Sequence, residues 1–379
     1  MPFEIAFIII AVAITAITYK TYMGYNDYPW YVKLSFLLLL VVSICAPFIC
    51  FFLKRTAAAD SLIYLAKPFY FMFGFVFFLF VITFARDTIW MIIDAIRRTP
   101  LEEIKHPKHL SEVNLITFIV CLALCFYGVY EAEKDAEIVT YEIASPKIKQ
   151  PTKVVLLADL HIDTDVSPKY VENLVNRVNA LKPDAVVIAG DIVDNRPIKL
   201  EKQMAELEKL EPKGKVYFVL GNHEFYLGAL DWGVTLAKLG FQFLNNYGLR
   251  LDDTGIYIAG IPDINSVRGT KIKINIPNAL YNAKEDDYRI LLSHTPKTTE
   301  EMNKDNIDLI LSGHTHGGQI YPFHYAAKQA NEGRLAGFYD VNGIKMYITR
   351  GTRYWGPPMR ILAPSEITVF NFVPKTDDK

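Results

Sequence analysis

The chain has 379 residues, with 40 Lys plus Arg against 41 Asp plus Glu and a formal net charge of −1. That length allows about two domains, and the balanced charge excludes the basic field that gathers nucleic acid, so no nucleic-acid partner is expected. Hydrophobic residues make up 51% of the chain, high for a wholly soluble protein, and they concentrate in the first third.

Four apolar stretches in that third, 3–19, 34–53, 62–85 and 113–130, predict an all-α bundle of about four transmembrane helices over residues 1–132. A helical span needs roughly 20 apolar residues. Only Glu4 precedes the first run, which argues against a secretory signal peptide with its basic start. Ile89 to Ile96 is apolar as well, and either extends the third span or lies in the interface. Lys20, Lys33, Arg86, Arg97, Arg98, Lys105 and Lys108 fall on one side of the bundle. By the bias of basic residues toward the cytoplasm, both termini and the rest of the chain are expected outside it. No charge sits in the middle of a span, which favours a plain anchor over a transport pathway. Cys45, Cys50, Cys121 and Cys125 all lie in these apolar runs, so the remainder has neither a disulfide framework nor a thiolate metal site.

Residues 133–150 read as a polar connector. From 151 to 375 the pattern changes to short β-branched runs alternating with helical-period segments, the mark of α/β layering. Strands are expected at Val154–Ala158, Ala185–Ala189, Val216–Leu220, Ile256–Ala259, Ile290–Leu292, Leu309–Leu311 and Met346–Thr349. Between the first two, Val171, Leu174, Val175, Val178 and Leu181 recur at helical spacing.

Polar residues cluster just past these strands. Asp159-Leu160-His161 follows the first, Gly190-Asp191-Ile192-Val193-Asp194 the second, and Gly221-Asn222-His223-Glu224 the third. Later strands end in Ser293-His294 and in Gly313-His314-Thr315-His316-Gly317. Ligands of layered α/β folds bind at the carboxyl ends of strands, so these groups can converge. Taken singly, an Asp before a turn is commonly a cap and a loop His an ordinary hydrogen-bonding residue. Together, Asp, His and Asn without Cys suit divalent metals in a mixed oxygen and nitrogen shell, with manganese, iron or zinc all compatible. Seven ligands exceed the needs of one ion and argue for two, an arrangement that clamps attacking and leaving oxygens at phosphorus.

The five blocks D-x-H, G-D-x-x-D, G-N-H-E/D, a later His and G-H-x-H resemble the calcineurin-like metallophosphoesterase superfamily over about residues 153–370. The resemblance implies a four-layer α/β/β/α sandwich and a metal-dependent phosphoric ester hydrolase. It implies that Asp159, His161 and His316 bind one metal, that Asn222, His294 and His314 bind the second, and that Asp191 bridges. It makes His223 the general acid and Asp194 the residue that orients it. The block from Gly313 to Gln319, with Arg350-Gly351-Thr352, Pro358, Arg360 and Pro364-Ser365-Glu366, resembles the bacterial membrane-associated branch. That branch comprises YkuE- and YaeI-like phosphoesterases and the UDP-diacylglucosamine pyrophosphatase type. It implies a phosphoester or pyrophosphate substrate that is lipid-linked or part of the cell envelope. Four spans depart from the single anchor expected of the last type. Soluble nucleotides, or a catalytically silent scaffold, are the alternatives. Arg196, Arg353 and Arg360 are expected to hold a substrate phosphate, since guanidinium pairs bidentately with phosphate oxygens. Phe225, Tyr226, Tyr354 and Trp355 could wall an apolar or base-stacking pocket. Oligomeric state leaves no mark in the sequence.

Overall fold

The computed structural model describes residues 3–25, 27–55, 65–98, 110–267, 272–303 and 306–375. It divides into two compact units, Met1–Tyr130 with Gly356–Met359, and Glu131–Trp355 with Arg360–Lys379.

The first unit carries α1 (Phe3–Met23), α2 (Trp30–Arg55), α3 (Ala66–Ile96) and most of α4 (Leu110–Glu133). Among the described residues three helices, Trp30–Cys50, Ala66–Ile96 and Leu110–Glu133, are long and apolar enough to cross a membrane, and Ile9–Met23 is a shorter apolar stretch. The segment Ile89–Ile96 extends the third helix, which reaches 31 residues. Residues 62–64 of the expected third span, and Lys105 and Lys108 of the charge count, lie outside the described residues. Extension of α3 also brings Arg86 and Asp87 inside a helix. They pair at 2.8 Å, and Arg86 donates to Asn114 Oδ1 on α4 at 2.8 Å. A charge inside an apolar helix needs such partners because lipid offers none.

The second unit is built on two six-stranded sheets. The first has the order β1-β12-β2-β3-β4-β5 and the second β10-β11-β9-β8-β7-β6. Strands β2 (Thr152–Leu157), β3 (Ala185–Ala189), β4 (Val216–Val219) and β5 (Gln242–Phe243) run parallel. So do β7 (Ile256–Gly260), β8 (Tyr288–Leu292), β9 (Leu309–Ser312) and β11 (Ile344–Ile348). The antiparallel members are β12 (Glu366–Pro374) on β2, β6 (Tyr247–Leu251) on β7 and β10 (Gly337–Val341) on β11.

The side-chain alternation of a strand separates three cores. Val154 and Leu156 of β2 face inward with Ile256, Ile290, Leu309 and Tyr347 of the opposing sheet. Val155 and Leu157 face outward onto α5 (Pro168–Ala180), α6 (Glu201–Leu207) and α8 (Ala229–Lys238). The helix α5 falls on the expected helical spacing: the Ser167 side chain accepts from Tyr170 N, Pro168 supplies the first turn, and Val171, Leu174, Val175 and Val178 form its buried stripe. Beyond the second sheet, Leu291, Ile310 and Met346 pack with Ile276 and Ala279 of the four-residue α9 (Ile276–Ala279). The order of layers is the expected α/β/β/α, with this outer layer mostly loop.

Residues 137–145, expected within a connector, instead form β1 (Glu137–Ser145). Its alternation of exposed charge and half-buried residues suits a sheet edge, where charge also discourages pairing with a second chain. Glu137 stands opposite Glu366, and Thr368 opposite Leu156. The chain therefore enters the first sheet at the edge where β2 ends.

The sheets approach closely at Gly260. A Cβ there would lie 2.5 Å from Val219 Cγ1 and 2.7 Å from the Leu244 carbonyl oxygen. Gly260→Val should cost about 1–3 kcal/mol by overpacking. It should lower the unfolding midpoint of the domain by about 2–10 °C in calorimetry of the full chain in detergent.

Candidate metal centre

Each proposed ligand stands on a loop that leaves the carboxyl end of a parallel strand. Asp159 and His161 follow β2, Asp191 and Asp194 follow β3, Asn222 and His223 open α7 (Asn222–Leu227) after β4, His294 follows β8, and His314 and His316 follow β9. The two sheets bring these ends together. His161 Nε2 lies 3.1 Å from His316 Nε2, and His294 Nε2 lies 3.1 Å from Asp191 Oδ2. Ligand atoms of Asp159, His161 and His316 fall within 4.8 Å of one another, and so do those of Asp191, His294 and His314.

This convergence bends the backbone into conformations that side chains avoid. Asp159, His161, Asp191, His314 and His316 have φ of 55°, 43°, 50°, 72° and 52°. Left-handed backbone at non-glycine residues costs of order 1–3 kcal/mol each and persists where the surroundings over-determine it, typically at functional sites. Gly190 turns at φ 86° directly before Asp191, and a Cβ there would meet His294 Nδ1 at 2.6 Å.

The donor set fits cations. His294 Nδ1 lies 2.7 Å from the Ala189 carbonyl oxygen and His316 Nδ1 lies 3.1 Å from that of Arg353. A carbonyl only accepts, so both Nδ1 atoms carry hydrogen and both Nε2 atoms point into the centre, the arrangement of metal-ligating imidazole. Around His294 Nε2 stand Asp191 Oδ2 at 3.1 Å and Asn222 Oδ1 at 3.2 Å. Three Lewis bases thus share one point, where an Nε2 proton on His294 or a cation in its place would relieve their repulsion.

Electrostatics follow from burial and crowding. Burial and the neighbouring Asp191 push the Asp159 carboxyl above the ordinary range, although the imidazoles of His294 and His161 oppose the shift. Burial acts on Asp191 in the same sense, but His294 and His223 outweigh it and hold its carboxyl low. For His294 burial is overcome by Asp191, which raises it well above the usual imidazole value. Burial and His294 together depress His314 to about 4. His223 is half-buried, and desolvation opposes its charge, yet the carboxylates of Asp194 and Asp191 push it up to about 9. Asp194 Oδ1 holds two imidazoles at once, His223 Nδ1 at 2.6 Å and His161 Nδ1 at 2.9 Å.

Two buried residues outside the expected ligand set shape the centre. Glu224 is fully buried and accepts from Ile192 N at 2.6 Å, Gly221 N at 2.7 Å, Val193 N at 2.9 Å and Asp191 N at 3.2 Å. Its place in the G-N-H-E block was the available signal. Arg360 corrects an expectation. It is fully buried, and its guanidinium donates to the carbonyls of Ala363 at 2.6 Å, Arg353 at 2.8 Å, Arg350 at 2.9 Å, His316 at 3.2 Å and Gly351 at 3.5 Å. Those bonds fix the loop around His316 and leave no fork for a substrate phosphate. Arg353 is similarly engaged, donating to the His161 carbonyl at 3.1 Å and to the Tyr354 hydroxyl at 3.1 Å. Arg196, two residues beyond Asp194, is exposed. Of the four expected wall residues, Tyr226 and Trp355 stand at the surface with ring centroids 5.8 and 5.5 Å from that of His223. Tyr354 is buried beside Arg353.

Residues 152–318 match the family model for calcineurin-like phosphoesterase. An uncharacterized metallophosphoesterase of Campylobacter jejuni is 31% identical over 295 residues, which cover 77% of this chain and 78% of that one. The chain belongs to the calcineurin-like phosphoesterases. It is a metal-dependent phosphoesterase domain preceded by helices apolar enough to span a membrane. Members of the family bind a dinuclear metal centre, and among the described residues three groups of His and Asp able to hold a cation stand at these strand ends. An uncharacterized metallophosphoesterase of Helicobacter pylori is 33% identical, covering 71% of this chain and 74% of its own. A Bos taurus transmembrane protein with metallophosphoesterase domain is 34% identical, with 67% of this chain and 61% of that protein aligned.

Arg360→Lys should destabilise the domain by about 2–4 kcal/mol, because one ammonium cannot satisfy five buried carbonyls. Arg196→Ala should change stability by less than about 0.5 kcal/mol. Calorimetric midpoints of the two variants check this. An Arg360 that bound substrate would instead leave the midpoint in place and raise KM.

Proposed function

We propose that this chain is a membrane-anchored hydrolase that cleaves a phosphoester or pyrophosphate bond in a lipid-linked or cell-envelope substrate through a two-cation site. The observation that carries the reading is the convergence of nine polar side chains at one sheet edge, in a chain with three helices apolar enough to span a bilayer. Asp159, His161 and His316 would hold one cation, Asn222, His294 and His314 the other, with Asp191 shared; manganese, iron or zinc suits this set. Bound there, divalent cations supply Lewis-acid polarisation of phosphoryl oxygens and lower the pKa of water.

The remaining work falls to the chain's own groups. Asp194 binds His223 Nδ1 at 2.6 Å, which fixes the ring and leaves Nε2 to give a proton to the leaving oxygen. The same carboxylate binds His161 Nδ1, so acid and ligand are aligned by one residue. Tyr226 and Trp355 flank His223 and narrow the path of water to it. Arg196, exposed two residues beyond Asp194, would be the arginine that meets a substrate phosphate. Exposed Trp355 and Tyr226 also support a second reading, in which a nucleotide base stacks at the mouth. The C-terminal block resembling the membrane-associated bacterial branch supports the lipid-linked reading. The bias of basic residues supports an extracytoplasmic catalytic domain.

The test is hydrolysis by the full chain in detergent with manganese, on bis-p-nitrophenyl phosphate, a UDP-linked lipid and a soluble nucleotide. His223→Ala should lower kcat by about 10²–10⁴-fold, the usual contribution of a positioned acid. Asp191→Ala should abolish turnover, and activity that survives it would sink the two-cation reading. Arg196→Ala should raise KM with kcat nearly unchanged, since contact made equally in ground and transition states affects binding alone.

A further inference from the structure

A cavity of about 110 Å³ lies beside the metal centre. Its walls come from the same edge. Leu220 follows β4 directly before Gly221-Asn222, Phe243 to Asn245 end and follow β5, and Pro262 follows β7. Phe225 of α7, two residues past His223, and Ala229 and Leu230 of α8 close the other side. Asn245 is the one lining side chain with a hydrogen-bonding group, and the exposed lining surface is almost wholly apolar. Leu230 is 77% exposed, so the lip of the cavity reaches the surface.

We infer that this cavity is a subsite for a hydrocarbon chain, the tail of a lipid phosphoester whose headgroup lies at the metal centre. The inference rests on the phosphoesterase reading for the headgroup, and on the cavity and the apolar helices for the tail. Three observations select hydrocarbon. A nucleotide base carries donors and acceptors that one asparagine cannot satisfy, and burying them unpaired opposes binding. The volume is near the ~150 Å³ of dry apolar cavities that take up benzene, enough for a chain segment a few methylenes long. The described residues include three helices apolar enough to span a membrane, so the hydrophobic ligand at hand is membrane lipid. Partition of a chain into such a wall tightens binding roughly fourfold per methylene until the cavity is full.

The experiment uses the full chain in detergent and dodecyl phosphate carrying a terminal diazirine, with cross-linked residues mapped by mass spectrometry. Labelling should centre on Phe225, Leu230 and Phe243 and should be competed by decyl phosphate but not by adenosine monophosphate. Ala229→Phe, which fills the cavity, and Leu230→Asp, which places charge at its lip, should each cut that labelling by about tenfold, the effect of losing two buried methylenes. Labelling of α2 by probe dissolved in detergent should stay constant and reports intact protein. Leu230→Asp alters an exposed position, so it keeps the test valid if Ala229→Phe does not fold. Labelling indifferent to the folded variants, or competed by adenosine monophosphate in preference to decyl phosphate, overturns the inference. Cross-linking needs no turnover, so absence of hydrolysis with labelling intact counts against the proposed function and not against the subsite.

Discussion

The centre depends on keeping irregular backbone buried without leaving its polar groups unpaired. The loops after β3 and β4 abandon strand pairing in order to aim Asp191 and Asn222 inward, and this frees amide hydrogens in a region closed to water. Glu224 gathers four of them, those of Asp191, Ile192, Val193 and Gly221. Burial and the Asp191 charge push the Glu224 carboxyl up to about 8, while the bonds from Val193 and Gly221 pull against that shift. Four amide donors converging on one buried carboxyl group let a single side chain hold two ligand loops in register.

Arg360 solves the mirror problem. Past β9 and β11 the loops expose carbonyl oxygens, and its guanidinium collects five of them. Burial pulls this guanidinium down to about 10, still well above neutrality, so it remains a cation. A buried acid that accepts amides and a buried base that donates to carbonyls therefore frame the ligands from opposite sides. Between them the left-handed residues are held in place, and the histidine Nδ1 hydrogens are fixed by Ala189 and Arg353 carbonyls. Rigid framing is what a metal centre needs, since ligand positions that relax would lose affinity and selectivity.

The parallel strands were legible because burial on both faces leaves near-continuous β-branched runs, as in Val186-Val187-Ile188. Edge strands were not. β1 carries exposed Glu137, Thr140 and Glu142, so its sequence reads as a polar connector until β12 is placed beside it. The converging Asp, Asn and His residues could be singled out because each lies in a short motif directly after a strand. The arginines could not, because sequence does not distinguish a guanidinium that meets substrate from one enclosed by carbonyls contributed by residues 316, 350, 351, 353 and 363. The extent of the third membrane helix was equally hidden. Arg86 and Asp87 read as its end, yet they pair with each other and Arg86 with Asn114, which lets the helix continue to Ile96.

The most direct test of the two-cation centre is the metal content of the purified full chain, measured by inductively coupled plasma mass spectrometry after removal of free ions. About two divalent ions per chain should remain in the wild type, and about one in either His314→Ala or His316→Ala. Retention of both ions by a His314→Ala, His316→Ala double variant, or a wild type that holds fewer than two at saturating manganese, would contradict the account.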